Sequence, residues 1–215
     1  GWKAVIGSSI GYAMDGFDLL ILGFMLSLIS GDLGLTTGQA GSLVTWTLVG
    51  AVIGGFIFGT LSDKFGRVRV LTWTIVLFAV FTGLCAFAQG YWDLLIYRTI
   101  AGIGLGGEFG IGMALAAEAW PAQHRAKATS YVAIGWQLGV LAAALLTPVL
   151  LPYIGWRGMF MVGIIPAFVA WFFRAKLHEP EIFVQSKEIK EHSHTNSFKL
   201  LVKDVRTTKT SIGVA

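Results

Sequence analysis

Six long apolar stretches separated by short polar turns constrain this chain more than any other feature. They run approximately over 4–30, 38–61, 70–90, 92–118, 127–152 and 158–176. A helix needs about 20 residues to cross the hydrocarbon core of a bilayer, because each residue advances it by about 1.5 Å. Spanning strands would be about half as long and would alternate apolar with polar positions, which these segments do not. Charged residues make up 13% of the chain and apolar residues 55%, against about 25% charged in a soluble domain. The sequence therefore predicts an all-α membrane protein with six transmembrane helices.

Lys and Arg set the direction of threading, since cytoplasmic loops are enriched in both. With the amino end inside, Lys3, Lys64, Arg67, Arg69, Arg125, Lys127, Arg174, Lys176 and every base from Lys187 to Lys209 fall inside. Arg98 and Arg157 fall toward the other face, close to span ends. Both ends of this segment are thus expected in the cytoplasm, with the chain multi-pass in the cell membrane and the lipid bilayer as its first partner. The net charge of +4 follows this bias, and no nucleic-acid partner is expected. The organisation reads as a bundle over 1–176, a polar cytoplasmic loop over 177–206, and the cut-off start of a seventh helix over 207–215.

Charges inside the spans are costly and therefore informative. Asp15 and Asp18 lie near the middle of the first span, spaced to share one face with Tyr12, Gly11 and Ser8. An ionised acid at mid-membrane costs at least about 2.5–3.5 kcal/mol, so this face must look into a bundle or a wet cavity. Two acids this close repel when both are charged, which favours holding a proton. A hydrogen-bonded pair that only locks helices together is the bland alternative. In the fourth span, Arg98 and Glu108 are ten residues apart, about 15 Å along the axis, and diverge around it. They need partners on other spans, and Arg98 has Asp15 or Asp18 available; alternatively it snorkels to the interface.

Other polar and aromatic residues read less sharply. Gln137, beside Trp136, either contacts a substrate or bonds across helices. Trp46 lines a cavity or packs, while Trp2, Trp92, Trp120 and Trp156 sit at span ends as interfacial anchors. Glycines spaced by four, as in Gly50/Gly54 and Gly102/Gly106/Gly110, let helix backbones approach closely. The Gly-x-Gly-x-x-Gly match at Gly102–Gly107 follows no strand, so dinucleotide binding is rejected. Cys85, the one cysteine, reads as a small buried hydrophobe. Nothing resembles a Ser/His/Asp set, a metal cluster or a phosphate loop, so neither an enzyme nor a cofactor or metal is expected.

One turn is more specific than re-entry into the bilayer requires: Gly59-x-Leu61-x-Asp63-Lys-x-Gly66-Arg67-x-Arg69. It resembles the loop signature between the second and third helices of the major facilitator superfamily. Arg98-x-x-x-Gly-x-Gly-x-Gly-Gly-Glu108 is similar to that family's fourth helix. Glu118-Ala-Trp-Pro121-x-x-x-Arg125 resembles its loop between helices four and five, and Glu179-Pro-Glu181 the acidic motif opening its central loop. The resemblance implies half of a twelve-helix fold, its amino-terminal six helices, built as two three-helix inverted repeats with the first and fourth spans equivalent. The other six-helix half is then a required partner.

The resemblance also implies secondary active transport by alternating access. Asp-Gly-Phe-Asp over 15–18 looks like the proton symporters for organic acids, and Gly-Glu108-Phe-Gly with Glu-Ala-Trp-Pro leans toward the sialic acid group. The implied roles are proton coupling for Asp15, Asp18 and Glu108, and binding of an organic anion such as a carboxylate for Arg98, Tyr12, Trp46 and Gln137. Asp63, Arg67, Glu118, Arg125, Glu179 and Glu181 would form a cytoplasmic gate. In it Arg67 meets Glu118, Arg125 meets Glu179 or Glu181, and Asp63 meets a helix amino end in the other half. A sugar or other metabolite carrier of the same superfamily, or a non-transporting membrane sensor or scaffold, are the alternatives.

Overall fold

Helices α1 (Trp2–Leu33), α2 (Thr37–Phe65), α3 (Arg67–Cys85), α4 (Tyr91–Glu118) and α5 (Arg125–Arg174) form the bundle in a computed structural model that describes residues 2–174. Each boundary has a local cause. Gly34 takes a left-handed φ of 62° and Leu35 N–H reaches back to the Ser30 carbonyl at 2.9 Å, closing α1. Thr36 and Gln39 then cap α2 reciprocally, each side chain taking the other's backbone N–H. Pro121 and a short 3-10 turn at Ala122–His124 separate α4 from α5.

Two boundaries differ from the sequence reading. The third span stops at Cys85 rather than near residue 90, because the Asp93 carboxylate accepts from Gln89 N–H at 3.2 Å and Gly90 is extended. The fifth and sixth stretches run as one long helix, broken only at Gly155, whose φ of 65° and ψ of 179° interrupt the helical backbone. Six spans therefore follow from five helices. That region of backbone is open almost solely to glycine, so Gly155→Ala is expected to cost about 1–3 kcal/mol. A thermal-unfolding comparison in detergent checks this, and an unchanged midpoint would refute it.

The bundle is laced by two equivalent seams. α2 packs chiefly on α4, and α1 on α5. A methyl group added at Gly54 or Gly106 would collide with the backbone of Ile103 or Ala51, sealing α2 to α4. At the other seam, a methyl at Gly135 or Gly139 would strike the backbone of Ser9 or Ala13, and one at Gly16 would come 2.7 Å from the Trp136 carbonyl oxygen. Swapping α1 with α4 and α2 with α5 maps one seam onto the other, as inverted three-helix repeats require. Small residues allow this approach because lipid supplies no hydrophobic drive between helices, and close packing must do so.

The exterior is apolar, with Val52, Phe56, Phe87, Leu145 and Phe168 each more than half exposed. Five helices are long and apolar enough to cross a membrane, among the described residues. Contacts identify the two ends. Trp2 stacks near Trp120 and Tyr131 at the end that carries Arg67 and Glu118. Asp32, Ala88 and Arg157 meet at the opposite end. The expected cytoplasmic loop over 177–206, with Glu179 and Glu181, and the expected start of a seventh helix over 207–215 lie outside the described residues.

Candidate functional site

The deepest polar feature joins the two equivalent helices. Arg98 of α4 donates from Nη1 and Nη2 to the two carboxylate oxygens of Asp18 on α1, at 3.0 and 2.7 Å, and both side chains are fully buried. Two parallel charge-assisted bonds suit the planar guanidinium fork and are the strongest way to hold a carboxylate away from water. Phe160 covers the guanidinium, with its ring centroid 5.8 Å away. Arg98 therefore does not snorkel to the interface. Of the two acids available to it, Asp18 is the partner. Cys85 is fully buried, as read from the sequence, and its thiol donates to the Phe81 carbonyl at 3.2 Å.

Asp15 and Glu108 are fully buried as well. Both act electrostatically on Tyr12, whose hydroxyl donates to the Phe109 carbonyl at 3.0 Å and whose ring stacks on that of Phe109 at 4.9 Å. α1 and α4 thus carry two polar layers along their contact. Asp18 with Arg98 forms one, and Asp15, Tyr12 and Glu108 form the other.

Trp46 is 47% exposed and Gln137 is exposed, while Tyr12 is 2% exposed. None of them, nor Arg98, lines the mid-span groove formed by α1, α2, α4 and α5. That groove is lined instead by Leu19, Leu48, Phe56, Leu105, Phe109 and Trp136 with small residues between them. Sequence reading passed over Trp136 in favour of its neighbour Gln137. Its spacing of one residue from Gly135, the seam glycine, was the available signal for which way it faces.

At the basic end one guanidinium gathers three groups. Arg67 Nε donates to Glu118 at 2.7 Å, Nη1 to Ser62 Oγ at 3.3 Å, and Nη2 lies 3.3 Å from Asp63. The expected Arg67–Glu118 pair is present. Asp63, expected to meet a helix amino end in the other half, pairs within this chain with Arg67 four residues on, since Gly66 (φ 105°) turns the chain so that α3 starts beside the end of α2. Arg125 is exposed, and its expected acidic partners lie outside the described residues.

The opposite end carries a cluster that sequence reading missed. Asp32 accepts from Trp156 Nε1 at 3.0 Å and from Arg157 Nη1 at 2.6 Å, and Arg157 Nη2 donates to the Ala88 carbonyl at 3.1 Å. The guanidinium also stacks over Trp156 at 4.1 Å. Trp156 is not the interfacial anchor expected from its position. It is 6% exposed, because the Gly155 break turns it inward onto Asp32.

A family model described as Major Facilitator Superfamily matches residues 8–214. A putative metabolite transport protein of Haemophilus influenzae is 76% identical over 100% of this chain and 54% of its own length. A probable 4-methylmuconolactone transporter of Cupriavidus pinatubonensis is 41% identical over 83% of this chain and 42% of its own. The sialic acid transporter of Escherichia coli is 32% identical over 86% and 46%. The xylose transporter XylE of E. coli, in a partially occluded inward-open conformation, superposes with a TM-score of 0.78 at 24% identity, covering 88% of this chain and 51% of that one. At that identity the likeness concerns the fold. The chain spans about half the length of the curated relatives it matches. With six spans in two inverted repeats and a family match over nearly its whole length, this chain belongs to the major facilitator superfamily, a family of membrane transporters and not of enzymes.

Proposed function

We propose that this chain forms part of a secondary carrier that moves a small organic anion together with protons by alternating access. The observation that carries the reading is the fully buried Asp18–Arg98 pair spanning α1 and α4. A buried ion pair is weak evidence for stability, because its desolvation offsets much of its attraction. Such a pair at mid-membrane is better explained as a switch. Protonating Asp18 neutralises one side of the fork and frees Arg98 to take a different acidic partner or to rearrange. A second proton carrier is available in the layer of Asp15 and Glu108, beside Tyr12, whose hydroxyl donates to the Phe109 carbonyl. An anionic cargo accords with the conjugated acid in the name of a cis,cis-muconate transport protein of Acinetobacter baylyi, 33% identical to this chain; the sialic acid relative shares the negative charge alone.

The Arg67 cluster supplies a gate. It fastens the start of α3 to the end of α4 and, through Ser62 and Asp63, to the end of α2, at the face we assign to the cytoplasm from its Lys and Arg content. Arg67 and Glu118 are 18% and 25% exposed, so water reaches this pair, and breaking it costs less than breaking the fully buried Asp18–Arg98 pair. A gate that must open every cycle needs such a modest bond.

Proton-gradient-driven uptake of a radiolabelled carboxylate into proteoliposomes holding the intact gene product tests the reading. Asp18→Asn is expected to abolish accumulation against a gradient. Because that change strands Arg98, the charge-neutral double variant Asp18→Asn/Arg98→Gln is measured beside it, and it should fold yet fail to couple. Undiminished pH-driven accumulation in the double variant would sink the coupling role.

A further inference from the structure

We propose that the mid-span groove holds the flat, apolar body of the cargo, a conjugated or aromatic ring, and that it disfavours polyhydroxylated acids. This deepens the carrier reading and rests on it. The groove has a volume of about 520 Å³, within the range of small-molecule sites. Its placement ties it to the buried acids. Leu19 and Phe109 line it, and each follows directly on a buried acid, Asp18 and Glu108. The acids face the interior of the bundle while their neighbours face the groove.

Its chemistry is one-sided. Trp136 is the one lining residue with a polar side-chain atom, a single indole N–H. Several hydroxyl groups pressed against this wall would lose water and gain at most one partner, which is unfavourable. A ring would lose nothing and gain aromatic contact. Phe109 and Trp136 stand nearly perpendicular, at 86° and 6.5 Å between centroids, offering one ring face and one ring edge. Gly55 and Gly106 line the groove where α2 and α4 touch, and beside them Gly110 leaves open space next to Phe109, since a Cβ there meets nothing within 4 Å; this is the slot. No cation lines this wall, and Arg98 is bound to Asp18 out of its reach. The carboxylate of the cargo is therefore read elsewhere, and this wall reads the body. The body also touches the coupling machinery. Phe109 stacks on Tyr12 and accepts its hydroxyl hydrogen bond, so a ring against Phe109 bears on the layer that holds Asp15 and Glu108.

Gly110 supplies the test. A Cβ added there meets nothing within 4 Å, so Gly110→Leu fills the slot without disturbing the helix seams, and leucine suits a helix better than glycine. Isothermal titration of the purified intact gene product uses benzoate and gluconate, both monoanions at neutral pH. Benzoate should bind at least tenfold more tightly than gluconate. Gly110→Leu should weaken benzoate at least tenfold, with the unliganded melting temperature unchanged or higher. Gluconate binding as tightly as benzoate, benzoate unaffected by Gly110→Leu, or no binding of either would overturn the slot. A lower melting temperature in Gly110→Leu would also overturn it, by marking the groove as a seam filled by other helices. Proton-driven uptake separates the two readings. Gluconate accumulation would sink the slot and leave the carrier. Gly110-sensitive benzoate binding without proton-driven uptake would sink the carrier and leave the slot.

Discussion

Arg98→Ala is expected to destabilise the bundle by about 3–5 kcal/mol, the usual cost of removing one partner from a buried ion pair. The magnitude follows from burial. Asp18 has no exposed surface, so its charge cannot be passed to water when the guanidinium is gone. Arg98→Lys keeps the charge but replaces two parallel bonds with a point contact, and should fall between wild type and Arg98→Ala. Reversible unfolding in mixed SDS micelles reads all three. Neutralising both partners together, as Asp18→Asn/Arg98→Gln, should recover much of the loss, since no uncompensated charge is then left inside. An Arg98→Ala protein as stable as the wild type would mean that the bond between α1 and α4 is not closed in solution.

Gly106→Leu should be the other severe change, costing about 3 kcal/mol or more. Overpacking a core side chain costs about 1–3 kcal/mol when neighbours can adjust. Here even a methyl group at Gly106 meets the Ala51 backbone, which can give way only by separating α2 from α4. Gly139→Leu, at the other seam, is expected to cost a similar amount because it meets the Ala13 backbone. Gly23→Leu is the control, since a Cβ there meets nothing within 4 Å. Folded yield and melting temperature in detergent report all three. Equal behaviour of Gly106→Leu and Gly23→Leu would refute the close-approach account of the seam.

The six spans were legible because length and apolarity alone decide them. Even the fused α5 respects them, with Gly155 marking the break between the fifth and sixth. The polar cluster at the basic end was legible in part. Arg67 and Glu118 are paired as expected, since both sit at helix ends on the same face. Which acid meets Arg98 was not legible. Asp15 and Asp18 share a face, and only the vertical offset between α1 and α4, set by their packing, selects Asp18. Tyr12, Trp46 and Gln137 illustrate a second limit. Polarity and depth can nominate a residue, but the direction of its side chain depends on how a helix is rotated. For α5 that rotation is fixed by Gly135 and Gly139 against α1, which turns Trp136 into the groove and not Gln137. The Asp32–Trp156–Arg157 cluster was invisible for a third reason: its members lie 124 and 125 residues apart and meet only after the chain has closed.

The exchange of partners between repeats has a consequence for how the protein is made. α1 finds its principal mate in α5 and α2 finds its own in α4, so the first three helices do not satisfy one another. As the ribosome delivers the chain, the first repeat must wait in the bilayer with its glycine-lined surfaces open until the second arrives. The first repeat is thus not expected to fold as a unit, and truncation within α4 or α5 is expected to leave inserted helices with no assembled bundle to join.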